Sequence, residues 1–400
     1  MIHSRCCIAG GGPAGMMLGF LLARAGIDVV VLEKHADFLR DFRGDTIHPS
    51  TLELMHELGI LDDFLQKPHQ EVRELGGRIG DEFVILADFS HLPTHCKFIA
   101  LMPQWDFLEF LAEHARRYRN FELKMRAEVI DVLEDAGRII GVRANTPEGM
   151  VDIHADLIVG ADGRHSIVRE KAGLPVDELG APMDVLWFRV SRQTGDGEQT
   201  LGHISKGKMM VMLNRDDYWQ CAYLIRKGDF DRIKEAGLPA FHNDVVSVVP
   251  FLRDRMSELR TWDDIKLLTV RVDRLRKWYR PGLLCIGDAA HAMSPIGGVG
   301  INLAIQDAVA AANILAAHLA QAGLTVAHFE RIQSRRELPT RITQAVQVLI
   351  QNRLIQRVLG ANDQMISMPW PLKLFKRWPF LRRVPARLIG LGFRPEHIRL

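Results

Sequence analysis

Cysteine is scarce in this chain, and its spacing fits neither a disulfide framework nor a metal centre. The 400 residues contain five cysteines, an odd number, and no CxxC pair, which argues against both disulfide stabilisation and a zinc site. Cys6 and Cys7 fall within the first apolar run, where cysteine behaves as a small hydrophobic residue. We therefore predict that the protein holds no metal.

Charge of one sign and long apolar runs are also lacking. The formal net charge is +2, which gives no indication of nucleic-acid binding. No uninterrupted apolar run approaches the ~18 residues of a membrane-spanning helix, and the first apolar strand begins too close to Met1 to leave room for a signal peptide. These features predict a cytoplasmic protein, and the length predicts two substantial domains.

The N-terminal stretch CIAGGGPAGMMLGFLLARAGIDVVVLEK, residues 7–34, predicts a strand, a glycine turn, a helix and a second strand. Gly10 suits the tight turn, Gly12 allows a pyrophosphate to approach the backbone, and Gly15 lets the helix pack closely on the strand. Glu33 ends the second strand, where a carboxylate accepts hydrogen bonds from a ribose diol and repels a 2′-phosphate. The unit predicts a dinucleotide site but does not distinguish NAD from FAD.

Two later stretches point to a longer cofactor. Residues 155–170, ADLIVGADGRHSIVRE, predict a strand that ends near Asp162 and turns into a short charged helix. Residues 282–315 predict a strand that stops at Asp288, followed by a loop rich in glycine and then by a long alanine-rich helix. A simple NAD-binding domain does not require this loop, whereas a cofactor extended across the sheet does.

The three stretches together resemble the class A flavoprotein monooxygenases, the family with the p-hydroxybenzoate hydroxylase fold. The motifs that carry the resemblance are Gly10-x-Gly12-x-x-Gly15, Asp162-Gly163, and Gly287-Asp288-Ala289-Ala290-His291 followed by Pro295, Gly297, Gly300 and Asn302. The resemblance covers most of residues 1–320 and identifies the cofactor as FAD. It implies an α/β fold, in which a Rossmann-like FAD-binding domain of the glutathione-reductase type carries an inserted antiparallel-sheet substrate domain and a helical C-terminal region.

The domain boundaries follow from a change in sequence pattern. Between the second and third stretches, short alternating apolar runs separated by turn residues predict an antiparallel sheet, one face of which should cover the flavin. The predicted domains are 1–75, 98–175 and 276–322 for FAD binding, 76–97 and 176–275 for the substrate, and 323–400 for the helical C-terminal region.

The resemblance also assigns cofactor-binding residues. It implies that Glu33 binds the adenosine ribose, that Asp288 binds the ribityl chain, and that the backbone of residues 300–302 faces the flavin pyrimidine edge. Arg43 would lie beside the cofactor on a loop near the flavin, and Gln104 would open a helix that touches it. The full predicted set is Gly10, Gly12, Pro13, Ala14, Gly15, Glu33, Lys34, Arg43, Gln104, Asp162, Asp288, Gly300, Ile301 and Asn302.

Three residues are predicted to act in catalysis: Arg43, His48 and Pro295. His48 has the pKa range of a base that deprotonates a phenol, although a histidine of this kind is more often a satisfied structural group. A helix beginning near Gly300 would place unpaired N–H groups and about half a positive charge beside the reduced flavin. A well-known family member has lysine at the position of Val299, so the resemblance does not carry over the flavin potential.

The mechanism implied by the resemblance begins when NADH or NADPH reduces FAD. O2 then adds to form the flavin C4a-hydroperoxide, and an electron-rich ring takes its distal oxygen. The nicotinamide cofactor binds only transiently, with Asp162 in a motif that serves both cofactors. The alternative is an FAD-dependent reductase or dehydrogenase that inserts no oxygen. A halogenase is disfavoured because WxWxIP is absent, and a redox sensor is disfavoured because the cofactor site looks complete.

Candidate substrate contacts come from the predicted sheet. They are Trp187, Arg189, Met210, Met212, Gln220 and Tyr223, each of which could instead pack in a core or face water. A family member that binds benzoate has polar side chains on this sheet, whereas the run KMMVML places methionines there. We therefore predict an apolar, aromatic or quinone-like small-molecule substrate.

The C-terminal stretch from Trp370 onward contains eight Lys or Arg residues and one acid among apolar residues. One interpretation is a peripheral contact with an anionic membrane. The alternative, which the sequence favours, is that the apolar side chains cover the cofactor domain while the arginines stay in water. No nucleic-acid partner is predicted, and the family analogy allows a monomer or a homodimer.

Overall fold

The computed structural model describes residues 2–39, 46–80, 82–197, 201–205, 207–360 and 370–400. Its strands are β1 (Ile2–Ala9), β2 (Val29–Glu33), β3 (Thr46–Ile47), β4 (Gln70–Val72), β5 (Glu74–Ile79), β6 (Glu82–Asp88), β7 (Ile99–Leu101), β8 (Phe121–Met125), β9 (Glu128–Asp135), β10 (Arg138–Thr146), β11 (Gly149–Gly160), β12 (Val176–Glu178), β13 (Met183–Ser191), β14 (Leu201–Ser205), β15 (Lys208–Arg215), β16 (Tyr218–Arg226), β17 (Lys266–Leu268), β18 (Asp273–Leu275), β19 (Tyr279–Arg280) and β20 (Leu283–Cys285). Its α-helices are α1 (Pro13–Arg24), α2 (Pro49–Glu57), α3 (Leu61–Leu65), α4 (Gln104–Ala115), α5 (Ile167–Lys171), α6 (Phe230–Ala236), α7 (Leu238–Val248), α8 (Val299–Ala320), α9 (Val326–Ile350), α10 (Gln356–Leu359), α11 (Trp370–Arg377) and α12 (Arg383–Gly390).

The first large sheet has a parallel centre in the order β20-β11-β1-β2-β8, and β19 pairs with β20 antiparallel at one edge. All five residues of β2 are buried, as expected for a parallel strand covered on both faces. Helix α1 packs against α8 and α4. The predicted strand, glycine turn, helix and strand at the N-terminus are confirmed.

Helix α8 forms the core of this domain. Within the described part of the chain, the stretch Ile296–Ala320 is long and apolar enough to span a membrane, with a mean hydropathy of 1.4. However, 72% of its most apolar window is buried inside the protein, where α8 contacts α1 and α9. Its apolar composition is therefore explained by packing.

The second large sheet has the order β17-β13-β16-β15-β14-β5-β6. Its neighbouring strands are antiparallel except for β14 and β5, which are parallel. One face packs against α7 through Phe188, Tyr223 and Phe241. The predicted inserted sheet is confirmed, with one parallel pair that the alternating pattern did not indicate.

The C-terminal region is helical, as predicted. Helix α9 contains Pro339 and is followed by a π-helical turn, Gln351–Ile355, and by α10. Helices α11 and α12 lie against β6, and Ala386 of α12 packs with Phe89 and Leu92. The C-terminal helices thus cover the second sheet at its edge strand, β6.

Candidate active site

A cavity of about 850 Å³ lies where the carboxyl ends of the parallel strands meet the second sheet. Four successive positions of this edge contribute to it: the turn after β1, the end of β2, the turn after β11 and the loop after β20. This is where open parallel sheets bind their ligands. The predicted site residues that line the cavity are Gly10, Gly12, Pro13, Ala14, Glu33, Lys34, Gln104, Asp162, Asp288, Pro295, Gly300 and Ile301.

The three motif glycines occupy different environments. Gly10 has a φ of +106°, and a Cβ on it would lie 2.3 Å from the carbonyl oxygen of Ala161. A Cβ on Gly15 would lie 2.0 Å from the carbonyl oxygen of Gly10. No protein atom lies within 4 Å of the corresponding point on Gly12. The fold therefore requires Gly10 and Gly15, whereas Gly12 opens onto space that a ligand can fill at the start of α1.

Glu33 is held in a fixed orientation at the end of β2. Its Oε2 accepts a hydrogen bond from the backbone N–H of Gly11 at 3.0 Å, and its Oε1 accepts one from the N–H of His35 at 3.0 Å. The carboxylate lies in the cavity wall beside the glycine turn. Its position suits the predicted contact with a ribose diol.

Asp162 organises the turn that follows β11. Its Oδ1 accepts a hydrogen bond from the Ser166 hydroxyl at 2.5 Å, and its Oδ2 accepts one from the backbone N–H of Val168 at 3.2 Å. Burial raises the pKa of this carboxyl, and these hydrogen bonds oppose the shift. Asp162 therefore secures the start of α5 while lining the cavity, and its contact with a nicotinamide stays a prediction.

Asp288 projects from the loop that follows β20. Arg164 lies close to it, with 3.9 Å between the Arg164 Nη2 and the Asp288 Oδ2. Both residues line the cavity, and the Asp288 side chain is partly exposed to it. A carboxylate in this position can accept hydrogen bonds from a polyol chain.

We expect Asp288→Ala to raise the dissociation constant for FAD about tenfold, because charge-assisted hydrogen bonds of this kind contribute about 1.5 kcal/mol or more. Flavin absorbance during titration of the apoprotein measures the change. Asp254→Ala removes an exposed carboxylate outside the cavity and is the control. Equal FAD affinity in both variants would refute the assignment of Asp288.

The start of α8 is clamped by Asn302. Its side-chain oxygen accepts a hydrogen bond from the backbone N–H of His48 at 2.9 Å, and its Nδ2 donates to the carbonyl oxygen of Thr46 at 3.0 Å. Gly300 and Ile301 line the cavity, whereas Asn302 itself is buried behind them. The first turn of a 22-residue helix therefore lies at the cavity wall, where its positive end favours negative charge on a ligand.

The structure corrects the catalytic assignment of His48. The residue is fully buried and is not among those that line the cavity. Its Nδ1 lies 2.8 Å from the carbonyl oxygen of Ile389, so that nitrogen is the donor. Burial lowers the pKa of His48 to about 4, against the effect of this hydrogen bond. A neutral imidazole that joins the flavin-side segment to α12 has a structural role.

The other two predicted catalytic residues have different outcomes. Arg43 lies outside the described residues, so its role stays a prediction. Pro295 lines the cavity just before α8. Gln104 is the first residue of α4 and also lines the cavity, so it opens a helix as predicted.

Strand β15 turns a different face to the cavity from the one predicted. Met209, Val211 and Leu213 line the cavity, whereas Met210 and Met212 are buried in the core against α7. Successive side chains of a strand point to opposite faces. A prediction that is wrong by one residue therefore exchanges the cavity-lining side chains with those of the core. Both faces of β15 are apolar, which left no alternation from which to choose.

Of the remaining predicted substrate contacts, one lines the cavity and three do not. Trp187 lines the cavity. Tyr223 does not, because it packs against Phe241 in the core on the opposite face. Arg189 is exposed, and Gln220 accepts a hydrogen bond from Arg215 at 3.0 Å. Neither lines the cavity, although the two residues are paired on the face that carries Trp187.

The sheet end of the cavity is strongly apolar. Its lining there includes Met183, Val185, Trp187, Met209, Val211, Leu213, Leu224, Leu268, Val270, Ile296, Leu354 and Ile355. The C-terminal helices add Leu372, Phe375, Pro385 and Ile389. Arg78 brings a positive charge to this part of the wall. The sequence did not place the C-terminal residues at the site, because their approach depends on tertiary packing.

A buried ion network behind the site was also not predicted. Asp307 accepts hydrogen bonds from the Gly287 N–H at 3.1 Å and from Arg336 Nε at 3.0 Å, and it pairs with His291 Nε2 at 2.6 Å. Burial raises the pKa of Asp307, but the charges and hydrogen bonds of His291 and Arg336 outweigh it, so the net pKa is lowered. The network anchors the loop that carries Asp288.

The described residues contain no group of three or more His, Cys, Asp or Glu side chains that could hold a metal ion. All five cysteines are buried and free of disulfides. Burial raises the pKa of the Cys7 thiol to about 12, so it stays protonated at neutral pH.

The fold and the cavity define a protein with room for an extended dinucleotide at the ends of the parallel strands. The model of the FAD binding domain family matches residues 3–344, and the chain belongs to this family. The open side of Gly12, the orientation of Glu33 and the exposed carboxylate of Asp288 fit an extended dinucleotide. FAD is the cofactor of this protein.

Curated relatives extend the comparison. The chain is 31% identical over 403 residues to 6-methylpretetramide 4-monooxygenase of Streptomyces rimosus, covering 99% of this chain and 94% of that protein. It is 30% identical over 324 residues to rifampicin monooxygenase of Rhodococcus hoagii, covering 75% of this chain and 61% of that one. The structure of PqsL from Pseudomonas aeruginosa has the same fold, with a TM-score of 0.74 and 22% identity over 90% of this chain and 100% of PqsL. The chain is an FAD-dependent monooxygenase of the aromatic-hydroxylase type.

Proposed function

We propose that this enzyme uses NADH or NADPH and O2 to hydroxylate a large, apolar phenolic or quinone-like substrate, through the flavin C4a-hydroperoxide that the family resemblance implies. The observation that carries the proposal is the extent of the apolar wall beyond the cofactor residues. A relative that covers nearly the whole chain is named as a 6-methylpretetramide 4-monooxygenase, which supports a polycyclic aromatic substrate.

The composition of the wall favours a substrate held mainly by apolar contact. Trp187 offers a flat aromatic surface, and Met209 and Leu213 provide adaptable and branched apolar surfaces beside it. Burial of apolar area contributes about 25 cal/mol per Å², so a ring system with several fused rings gains more than a single ring. Arg78 adds a donor for a phenolate or carbonyl oxygen.

The residues of the chain have separate tasks in this reaction. FAD, when bound, supplies the redox chemistry and the activation of O2. The apolar side chains of β13, β15 and β16 position the ring and exclude water from it. The N-terminal end of α8, secured by Asn302, stabilises negative charge at its end of the cavity.

Steady-state turnover with ¹⁸O2 tests the proposal. We expect polycyclic phenols to stimulate NAD(P)H oxidation and to acquire one labelled oxygen atom, and single-ring benzoates to do neither. NAD(P)H oxidation coupled to substrate reduction without labelled product would establish the reductase alternative. Efficient hydroxylation of a small benzoate would contradict the proposed substrate class.

Val211→Trp tests the face of β15 that meets the substrate. We expect it to raise KM for a polycyclic substrate at least about tenfold, a loss of ~1.4 kcal/mol, while FAD content and melting temperature stay unchanged. Met210→Trp is the matched variant, because it overpacks the core on the other face and should cost ~1–3 kcal/mol of stability. The opposite pattern, with loss of binding in Met210→Trp and loss of stability in Val211→Trp, would show that the assigned face is wrong.

A further inference from the structure

The C-terminal helices present two different apolar faces. The inner face lines the cavity through Leu372, Phe375, Pro385 and Ile389. The outer face exposes four large hydrophobic side chains, with relative exposures of 73% for Trp370, 49% for Trp378, 61% for Phe380 and 60% for Val384. The sequence favoured an arrangement in which the tryptophans and phenylalanines cover the domain. The structure leaves Trp370, Trp378 and Phe380 exposed to solvent, whereas Phe375 lines the cavity.

The same segment is uniformly basic. Residues 370–390 contain six Lys or Arg residues and no acid: Lys373, Lys376, Arg377, Arg382, Arg383 and Arg387. Lys376 pairs with Glu82 of β6 at 2.6 Å, and Arg382 Nε donates to the carbonyl oxygen of Phe375 at 3.0 Å. Lys373, Arg377, Arg383 and Arg387 are exposed, so the segment presents an excess of positive charge to solvent together with its exposed aromatic residues.

We propose that this basic aromatic face, residues 370–390, binds the surface of an anionic lipid membrane. Tryptophan and phenylalanine with interspersed lysine and arginine are typical of helices that lie in the interface of a bilayer. Basic residues near an anionic leaflet are attracted to its negative surface potential. A second copy of this chain is a poor occupant, because the two faces would bring like charges together.

The proposed contact places the lipid surface close to the active site. Helix α12, about 10 Å in diameter, carries both the exposed Val384 and the cavity-lining Pro385 and Ile389, and the exposed Phe380 lies in the turn just before it. An apolar substrate dissolved in the membrane would therefore reach the cavity along the C-terminal helices. This last consequence rests on the proposed function, whereas membrane binding does not.

Co-sedimentation of the FAD-loaded protein with lipid vesicles tests the contact without using catalysis. We expect binding to vesicles of phosphatidylcholine mixed with phosphatidylglycerol, weakening as salt is raised, and much weaker binding to phosphatidylcholine alone. Trp378→Ser with Phe380→Ser should lower the vesicle affinity at least tenfold. Met150→Ser, which alters an exposed apolar residue near the start of β11, should leave the vesicle affinity unchanged.

Charge reversal provides a second, independent test. Lys373→Glu with Arg387→Glu should abolish sedimentation, whereas Arg116→Glu with Arg117→Glu, at the exposed end of α4, should not. Unchanged flavin absorbance and melting temperature identify the folded variants. Equal binding to neutral vesicles, equal effects of the two charge pairs, or binding to an acidic protein but not to vesicles would each overturn the proposal.

Discussion

Gly12→Val is expected to yield a folded protein that purifies without FAD. Gly12 has a φ of −75° and a ψ of −176°, a conformation that valine adopts readily, and no protein atom would touch a new Cβ. The added side chain occupies the space where the pyrophosphate would meet the first turn of α1. We expect the dissociation constant for FAD to rise about hundredfold, or ~2.7 kcal/mol, in a titration of the apoprotein.

Two companion variants separate cofactor binding from folding. Gly323→Val changes a glycine in the turn after α8, away from the cavity, and should bind FAD normally. Gly15→Ala forces a Cβ against the carbonyl oxygen of Gly10 and should lower the melting temperature of the apoprotein. Normal FAD content in Gly12→Val would show that the cofactor does not cross this turn.

Asp307→Ala is expected to cause the largest loss of stability among single substitutions near the site. The change removes one of the two buried carboxylates that pair with Arg336, leaving Glu396 at 3.3 Å, and takes away the carboxylate that contacts His291. Breaking a buried ion pair by removing one partner costs about 3–5 kcal/mol. Because Gly287 loses its acceptor as well, the loop that carries Asp288 should loosen and FAD affinity should fall. Urea unfolding and flavin titration measure the two effects.

The double variant Asp307→Ala with Arg336→Met identifies the cause of the loss. If the uncompensated charge dominates, the double variant should recover a substantial part of the stability lost by Asp307→Ala alone. Equal or greater loss in the double variant would contradict the electrostatic explanation and assign the effect to packing.

The pH dependence of stability provides a further measurement on the same network. The pKa of Asp307 lies below its ordinary value in the folded protein, because His291 and Arg336 outweigh the effect of burial. Its stabilising contribution is therefore complete above the unfolded-state pKa, about 4, and is lost as the pH falls through the folded-state pKa. The stability difference between the native protein and Asp307→Ala should shrink below about pH 4.

Local patterns were sufficient to predict the cofactor half of the molecule. The turn at Gly10, the strand that ends at Glu33 and the strand that precedes Asp288 are each specified within a short stretch of chain. Because all three strands are parallel, their carboxyl ends meet at one edge of the sheet. Motif and strand order together therefore bring these residues to one cavity.

The substrate half could not be predicted to the same degree. The sequence predicts Met210 and Met212 at the substrate, whereas Met209 and Val211 line the cavity, because a strand that is apolar on both faces shows no alternation. The pKa range of an imidazole favours a catalytic role for His48, whereas its burial against Ile389, 341 residues away, does not follow from sequence spacing. Sequence spacing does not report contacts between distant parts of the chain.

Rapid mixing tests whether FAD bound in this cavity transfers an oxygen atom to an aromatic substrate. The FAD-loaded protein is reduced anaerobically and mixed with ¹⁸O2 and a polycyclic phenol, while the flavin absorbance is followed and the product is analysed. We expect a transient absorbance band of a flavin C4a-adduct, whose decay depends on the ligand, and one labelled oxygen in the product. Direct return to oxidised flavin, with peroxide as the oxygen product for every ligand, would contradict this oxygen transfer.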